Sequence, residues 1–165
     1  MTVISTQKDT ENLTLTFVAE FAADVERVWQ VWEDPRQLER WWGPPTWPAT
    51  FVRHDFVEGG ESRYYMTGPD GEKARGWWKT TAVQAPNTLE FDDGFAGDDG
   101  EPSGFLGTTH CTVTLEGTGA TTRMTTKSSF ESLEQLEEML KMGMEEGMRE
   151  AMGQIDALLA VEAKA

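Results

Sequence analysis

The sequence predicts an α+β fold in which a curved antiparallel sheet of six or seven strands wraps around one long C-terminal helix. Three observations favour this fold. Apolar and polar residues alternate from Leu13 to Phe21, the pair Asp34-Pro35 separates two short helical segments, and a capped apolar stripe follows residue 132. A chain of 165 residues has the length of one domain.

The first strand and the two short helices after it have separate signals. Alternate residues share one face of a strand. The apolar face consists of Leu13, Leu15, Phe17, Ala19 and Phe21. Helices are expected at residues 24–33 and 35–42, because proline disfavours a helical conformation at Asp34 and readily occupies the first position of a new helix.

The middle of the chain consists of short strands and turns. The strands are expected near residues 50–56, 60–67, 73–83, 88–92, 108–116 and 121–130. Between two of them, the Gly- and Asp-rich residues 92–107 are expected to form a solvated acidic loop. This loop lacks the Asp-x-Asp-x-Asp-Gly spacing of a calcium site, so no metal is predicted there.

The last helix is expected to run without a break from Leu133 to Ala160. Its start is marked by Ser132 and Gln135, which have the spacing of a capping box. At 1.5 Å per residue such a helix would be about 42 Å long, enough to cross the whole sheet.

Glycines inside the last helix are the main sequence clue to function. Glycine destabilises a helix by about 1 kcal/mol relative to alanine, yet Gly143 lies at the edge of the apolar stripe and Gly147 lies within it. Two explanations stay open. Either the missing side chains leave a ligand cavity beneath the helix, or they admit a bulky residue of the sheet such as Trp77 or Trp78.

Charge and composition limit the partners. The 29 acidic and 14 basic side chains give a net charge of −15. Nucleic acids and anionic lipid surfaces select positive patches, so neither a nucleic acid nor a membrane is an expected partner. The lone Cys111 and a polar N-terminus without a signal-peptide core favour the cytoplasm.

We expect one folded domain over residues 13–160. The polar residues 1–12 are predicted to be a disordered N-terminal segment, and residues 161–165 a frayed C-terminus. No internal repeat or linker divides the chain.

The candidate binding site lies between the sheet and the last helix. Strand parity selects inward side chains that are apolar with scattered polar groups, the mixture typical of a small-molecule pocket. The candidates are Trp42, Tyr64, Met66, Trp78, Cys111, Val113, Met124 and Thr126, together with Glu137, Leu140, Gly143, Met144, Gly147 and Met148 of the last helix. For any one of these residues, an ordinary core position is a comparably good explanation.

Several assignments within this set stay open. Parity is ambiguous after Gly76, so either Trp77 or Trp78 faces the interior. Trp42 either lines an entrance or packs in the core. Glu137 either anchors a polar ligand group or is a solvated carboxylate near a helix N-terminus.

No catalytic or metal-binding group is predicted. His110 is expected to face outward, and His54 and Asp55 are adjacent strand residues that point to opposite faces. One cysteine and two isolated histidines do not supply a standard zinc site. No cofactor is therefore expected, and no arrangement of residues identifies an enzyme.

Five short features occur in one order along the chain. They are Trp41-Trp42-Gly43-Pro44, Asp55-x-x-x-Gly59-Gly60, Met66-x-x-Pro69-Asp70-Gly71, Gly76, and a long final helix with Gly143. In this order they resemble the activator of heat-shock-protein-90 ATPase homologue-like family, within the START-like (polyketide cyclase/Bet v-like, SRPBCC) superfamily. The similarity extends from about Leu13 to Leu159 and implies the helix-grip fold.

This resemblance implies three functions, in the following order of preference. The first is a binding module that holds a small apolar or aromatic molecule between the sheet and the last helix. The second is an enzyme of the polyketide-cyclase or hydrolase kind, and the third is a co-chaperone-like domain whose partner is a chaperone ATPase. The superfamily repeatedly uses the space beneath the helix for apolar ligands, which favours the first.

Overall fold

An eight-stranded antiparallel sheet forms the frame of the molecule. The computed structural model describes residues 3–105 and 107–160. The strands are β1 (Val3–Asp9), β2 (Thr14–Phe21), β3 (Ala49–His54), β4 (Glu61–Thr67), β5 (Lys73–Gln84), β6 (Thr88–Ala96), β7 (Thr109–Thr118) and β8 (Thr121–Ser129). Their order in the sheet is β1-β2-β8-β7-β6-β5-β4-β3, which confirms the predicted antiparallel α+β fold, although the sheet has eight strands instead of six or seven.

Strand β1 corrects the expectation that residues 1–12 are disordered. It pairs with β2 along the edge of the sheet, where Asp9 lies opposite Thr14. The connecting turn is held by the Asp9 carboxylate, which accepts hydrogen bonds from the backbone N–H groups of Glu11 at 3.0 Å and Asn12 at 3.1 Å. An edge strand needs few buried side chains, so this segment has no apolar periodicity to reveal it. Residues 161–165, which were expected to be frayed, lie outside the described residues.

The two predicted short helices are present, although the second ends at Leu38 instead of residue 42. Helix α1 spans Val25–Glu33 and helix α2 spans Pro35–Leu38. Asp34 ends the first helix and caps the second, where its carboxylate accepts a hydrogen bond from the Arg36 N–H at 2.9 Å. The predicted boundary at Asp34-Pro35 is therefore confirmed, with Pro35 in the first turn of α2.

The final helical segment is broken into three helices, so the prediction of one continuous helix over 133–160 is wrong in this respect. These are α3 (Leu133–Lys141), α4 (Met144–Gly153) and α5 (Ile155–Ala160). The main break lies at Gly143, whose φ of 86° is left-handed and cannot continue a right-handed helix. The predicted cap of α3 is confirmed, because the Ser132 hydroxyl accepts a hydrogen bond from the Gln135 N–H at 3.1 Å.

Three side chains tie the helices to the rest of the fold. Arg149 of α4 donates to the Thr6 hydroxyl of β1 at 2.8 Å. Arg27 of α1 donates to the Leu158 carbonyl of α5 at 2.9 Å, and Gln154 donates to the Gly43 carbonyl at 2.7 Å. The broken helical segment therefore lies against the edge strand at one point and against α1 at another. No helix in residues 3–105 and 107–160 has both the length and the apolar character needed to cross a bilayer.

The core lies between the inner face of the sheet and the helices. Trp78 is fully buried on the inner face, whereas Trp77 is half-buried on the outer face and packs against Gly94. The open choice between these tryptophans is thus resolved. In α3 the buried apolar residues are Leu136 and Met139, while Leu133 is 45 % exposed.

Candidate functional site

Aromatic rings fill one part of the interior. The indole ring of Trp78 stacks on Phe91 with ring centres 4.0 Å apart, and the Trp42 ring meets it edge-on at 4.8 Å. The ring centre of Trp32 lies 6.1 Å from that of Trp78 and 6.0 Å from that of Trp42. Of the two predicted site residues here, Trp42 is only 6 % exposed and Trp78 is fully buried. Trp42 therefore packs in the core instead of lining an entrance.

The predicted site residues of β7 and β8 also face inward. Cys111, Val113, Met124 and Thr126 are all buried, which confirms the parity read from the sequence. Burial raises the pKa of the Cys111 thiol far above its ordinary value, so the thiol is not an activated nucleophile. The Trp32 indole N–H donates to the Met124 sulfur at 3.4 Å.

Half-buried apolar side chains on β4, β6, α3 and α4 pack against this filled core. We call these side chains the apolar rim. Its members are Tyr64, Met66, Phe95, Leu140, Met144 and Met148, each packed against the core cluster. Because methionine side chains are flexible and polarisable, three of the six members can adapt to ligands of different shape. The rim contains five of the residues predicted from the sequence, and Phe95 is an addition.

The remaining predicted site residues lie at the surface of the helices. Glu137 is exposed beside a depression of about 450 Å³, and Gly143 borders another of about 490 Å³ between β1 and α4. A Cβ atom built at Gly147 would meet no atom within 4 Å. The explanation that Gly147 admits Trp77 or Trp78 in close contact is therefore wrong, because the space beside it is open.

A carboxyl group that the sequence analysis missed lies beside Tyr64. The Tyr64 hydroxyl of β4 donates to a carboxylate oxygen of Asp93 on β6 at 3.3 Å. Burial raises the pKa of Asp93 to about 7, an effect that hydrogen bonds from Tyr64 and the Gly94 backbone only partly oppose. Burial and the Asp93 charge raise the pKa of Tyr64 well above its ordinary value. Both residues keep partial access to solvent.

Glycine on the intervening strand permits this contact. Gly76 of β5 lies opposite Tyr64 on one side and Phe95 on the other. A Cβ atom at position 76 would collide with the Tyr64 ring, so only glycine lets the ring lie across β5 towards Asp93.

Strand β6 explains why Asp93 was missed. The strand continues to Ala96, whereas residues 92–107 were predicted to be a solvated loop. The alternation that puts Leu89 and Phe91 on the inner face also puts Asp93 there. Extending the alternation by two residues beyond Phe91 would have identified Asp93.

Several buried polar atoms near this region have no hydrogen-bond partner. Among the described residues, these include the indole nitrogens of Trp42 and Trp78 and the hydroxyls of Thr80 and Thr126. The Trp42 side chain is close enough to the Tyr64 hydroxyl to lower its pKa against the larger effects of burial and Asp93. Buried donors and acceptors are usually satisfied, so these atoms are available to a ligand or to water.

Both histidines have structural partners. His54 is half-buried between the Ser62 hydroxyl at 2.8 Å and the Trp32 carbonyl at 2.9 Å, and burial lowers its pKa. His110 lies on the outer face, where it contacts carboxylates of Asp92 at 2.8 Å and Glu90 at 3.0 Å. Within residues 3–105 and 107–160, no group of three or more His, Cys, Asp or Glu side chains has a metal-binding arrangement.

One family model matches most of this chain. The family model described as Activator of Hsp90 ATPase homolog 1-like protein matches residues 22–160. The chain belongs to this family. The match covers α1 to α5 and every strand from β3 to β8, so the whole candidate site lies within the family domain.

Solved structures share the fold of this AHSA1-like domain. A protein from Arthrobacter aurescens, solved by solution NMR, is 63 % identical, has a TM-score of 0.94 and aligns over 99 % of this chain and 95 % of its own. The crystal structure of Ms6760 from Mycobacterium smegmatis is 46 % identical, with a TM-score of 0.89 and coverage of 98 % and 99 %. No curated protein matches the sequence.

A more distant neighbour is DynU16, a protein of the dynemicin biosynthetic locus. It is 20 % identical with a TM-score of 0.64, and the alignment covers 90 % of this chain and 48 % of DynU16. At this identity the comparison supports the shared fold of the AHSA1-like domain and nothing more.

Proposed function

We propose that this AHSA1-like domain binds a small apolar or aromatic molecule between the inner face of the sheet and helices α3 and α4. The observation that carries the proposal is the Tyr64–Asp93 pair, which lies on the inner face of the sheet beside Met66 of β4 and Phe95 of β6. A desolvated carboxyl group lowers the stability of a fold at neutral pH. Its position on an inner face is understandable if it contacts a ligand.

The apolar side chains of the rim are suited to such a ligand. Met66, Met144 and Met148 are half-buried, and their thioether side chains can move aside or close over a bound molecule without breaking a hydrogen bond. The half-buried Tyr64 ring, which Trp42 supports edge-on at 6.1 Å, offers apolar surface to a ring-containing ligand. Ligand pockets commonly combine such walls with a few fixed polar groups.

Binding can be tested with a neutral apolar dye. We expect Nile red to bind with an increase in fluorescence, and native mass spectrometry of the freshly purified protein to detect a co-purified small molecule. Met144→Trp should fill the rim and weaken dye binding about fivefold or more. The matched control is Met142→Trp, because Met142 is 55 % exposed, and it should bind the dye as the wild type does.

Equal binding by the two variants would place the dye outside the rim. A wild-type protein that binds no dye and carries no molecule would refute the proposed function.

A second candidate is interaction with a chaperone ATPase, which the description of the family favours. Stimulation of a purified heat-shock-protein-90 ATPase by the wild-type chain would support it. The lone Cys111 and the acidic composition support a cytoplasmic location for either function.

A further inference from the structure

Tyr64 and Asp93 place two oxygen atoms side by side on an apolar surface. The Tyr64 hydroxyl lies 3.3 Å from the Asp93 carboxyl, a longer separation than the usual 2.7–2.8 Å between hydroxyl and carboxyl oxygens. Both side chains are half-buried, and Phe95 lies on the same face of β6 as Asp93. The two oxygens are therefore close enough to contact one atom of a ligand together.

The Asp93 carboxyl lacks the partner that usually keeps a buried carboxylate ionised. Among the described residues, no lysine or arginine pairs with it. A carboxyl group in an apolar site without a cation tends to keep its proton, and a protonated carboxyl is a hydrogen-bond donor. Tyr64 is a donor as well, and the Trp42 indole N–H lies close to its hydroxyl oxygen.

We propose that Tyr64 and Asp93 together recognise a hydrogen-bond-accepting oxygen, a ketone or similar carbonyl, on an otherwise apolar or aromatic ligand. The inference rests on the proposed function, because it names the polar group of the molecule that the rim would bind. When the ligand binds, the Tyr64 O–H turns from the Asp93 carboxyl to the carbonyl oxygen, and the protonated Asp93 carboxyl donates to the same oxygen. The hydrocarbon part of the ligand contacts Met66 and Phe95. No covalent step is involved.

The state of Asp93 makes this recognition depend on pH. Its titratable neighbours are Tyr64 from β4 and Cys111 from β7, both of which are neutral below pH 8, and the residue opposite on β5 is the uncharged Trp78. Asp93 thus titrates with a pKa of about 7. Above this pH the ionised carboxylate repels the carbonyl oxygen, so ketone binding weakens as the pH rises.

A matched pair of probes tests the proposal. Equilibrium dialysis compares 2-acetylnaphthalene, which carries a ketone, with 2-ethylnaphthalene, which does not. At pH 6 we expect the wild type to bind the ketone about tenfold more tightly. From pH 6 to pH 8 the ketone affinity should fall about tenfold, as a pKa of about 7 requires, while hydrocarbon binding stays constant.

Three variants separate the roles of the groups. Tyr64→Phe should lose most of the preference for the ketone. Asp93→Asn keeps a donor that cannot ionise, so it should keep the preference and lose the pH dependence. Asp92→Asn is the control, because Asp92 lies on the outer face against His110, and it should behave as the wild type.

The outcomes distinguish this inference from the proposed function. If the wild type and Tyr64→Phe bind both probes equally, the carbonyl proposal is overturned and apolar binding stands. If neither probe binds the wild type at any pH, both proposals fail.

Discussion

Replacing Asp93 by asparagine measures how strongly the interior opposes a negative charge. Burial raises the pKa of this carboxyl from 3.8 to about 7. When the pKa of a group is higher in the folded than in the unfolded protein, the group contributes stability at pH values below its pKa in the unfolded state. This contribution is lost as the pH rises through its pKa in the folded state. Each pKa unit corresponds to about 1.4 kcal/mol, so the loss between pH 4 and pH 8 reaches about 4 kcal/mol.

Asp93→Asn has nearly the same shape and cannot ionise. We therefore expect the variant to be more stable than the wild type by about 2–4 kcal/mol at pH 8, and to differ little from it at pH 4. Urea denaturation followed by tryptophan fluorescence at pH 4, 6 and 8 gives the free energies of unfolding.

The neighbouring carboxyl provides the control. Asp92 is hydrogen-bonded to His110 on the outer face at 2.8 Å, so Asp92→Asn should lower stability instead of raising it. An Asp93→Asn variant that is no more stable than the wild type at pH 8 would contradict the argument, because it would mean that the carboxylate is well solvated in the folded protein.

Three other changes test the helices and the outer face. Gly143→Ala should lower the free energy of unfolding by about 1–2 kcal/mol, because a φ of 86° is strained for any residue with a side chain. The control Gly153→Ala should not lower it, and thermal denaturation of both variants measures the difference. Gly147→Leu should be about as stable as the wild type, since a Cβ atom added at position 147 meets no atom within 4 Å. A large fall in Tm would contradict the conclusion that the space beside Gly147 is open. Burial opposes charge on His110, but hydrogen bonds to Asp92 and Glu90 raise its pKa above 6.5. Its stabilising effect is therefore present below pH 6.5 and lost as the pH rises through the folded pKa, so the stability gap between wild type and His110→Asn should be wider at pH 5 than at pH 9.

The parts of the fold that follow from periodicity could be predicted. The apolar face of β2, the boundary between α1 and α2 and the cap of α3 depend on residues within a few positions of one another. Strand β1 could not be predicted in this way, because its position depends on the open edge of β2 and the side chains of residues 5–9 are mostly exposed.

The candidate site was predictable only in its apolar part. Strand parity identified the inward positions of Tyr64, Met66 and Cys111, whereas the Tyr64–Asp93 contact depends on the register of three strands and on the absence of a side chain at Gly76. The break at Gly143 was also missed, since a sequence does not distinguish a glycine within a helix from one that adopts a left-handed conformation.

The pairing of β2 with β8 sets the order in which the sheet can assemble. Strands β3 to β8 each pair with the strand that precedes or follows them, so they form a meander from local contacts. In contrast, Thr14 lies opposite Ser129 and Phe21 opposite Thr122, and such distant contacts form slowly because the intervening chain must be closed into a loop first. During synthesis on the ribosome, the hairpin of β1 and β2 therefore has no neighbouring strand until β8 has emerged, and the backbone N–H and C=O groups on the open edge of β2 stay unpaired for that time.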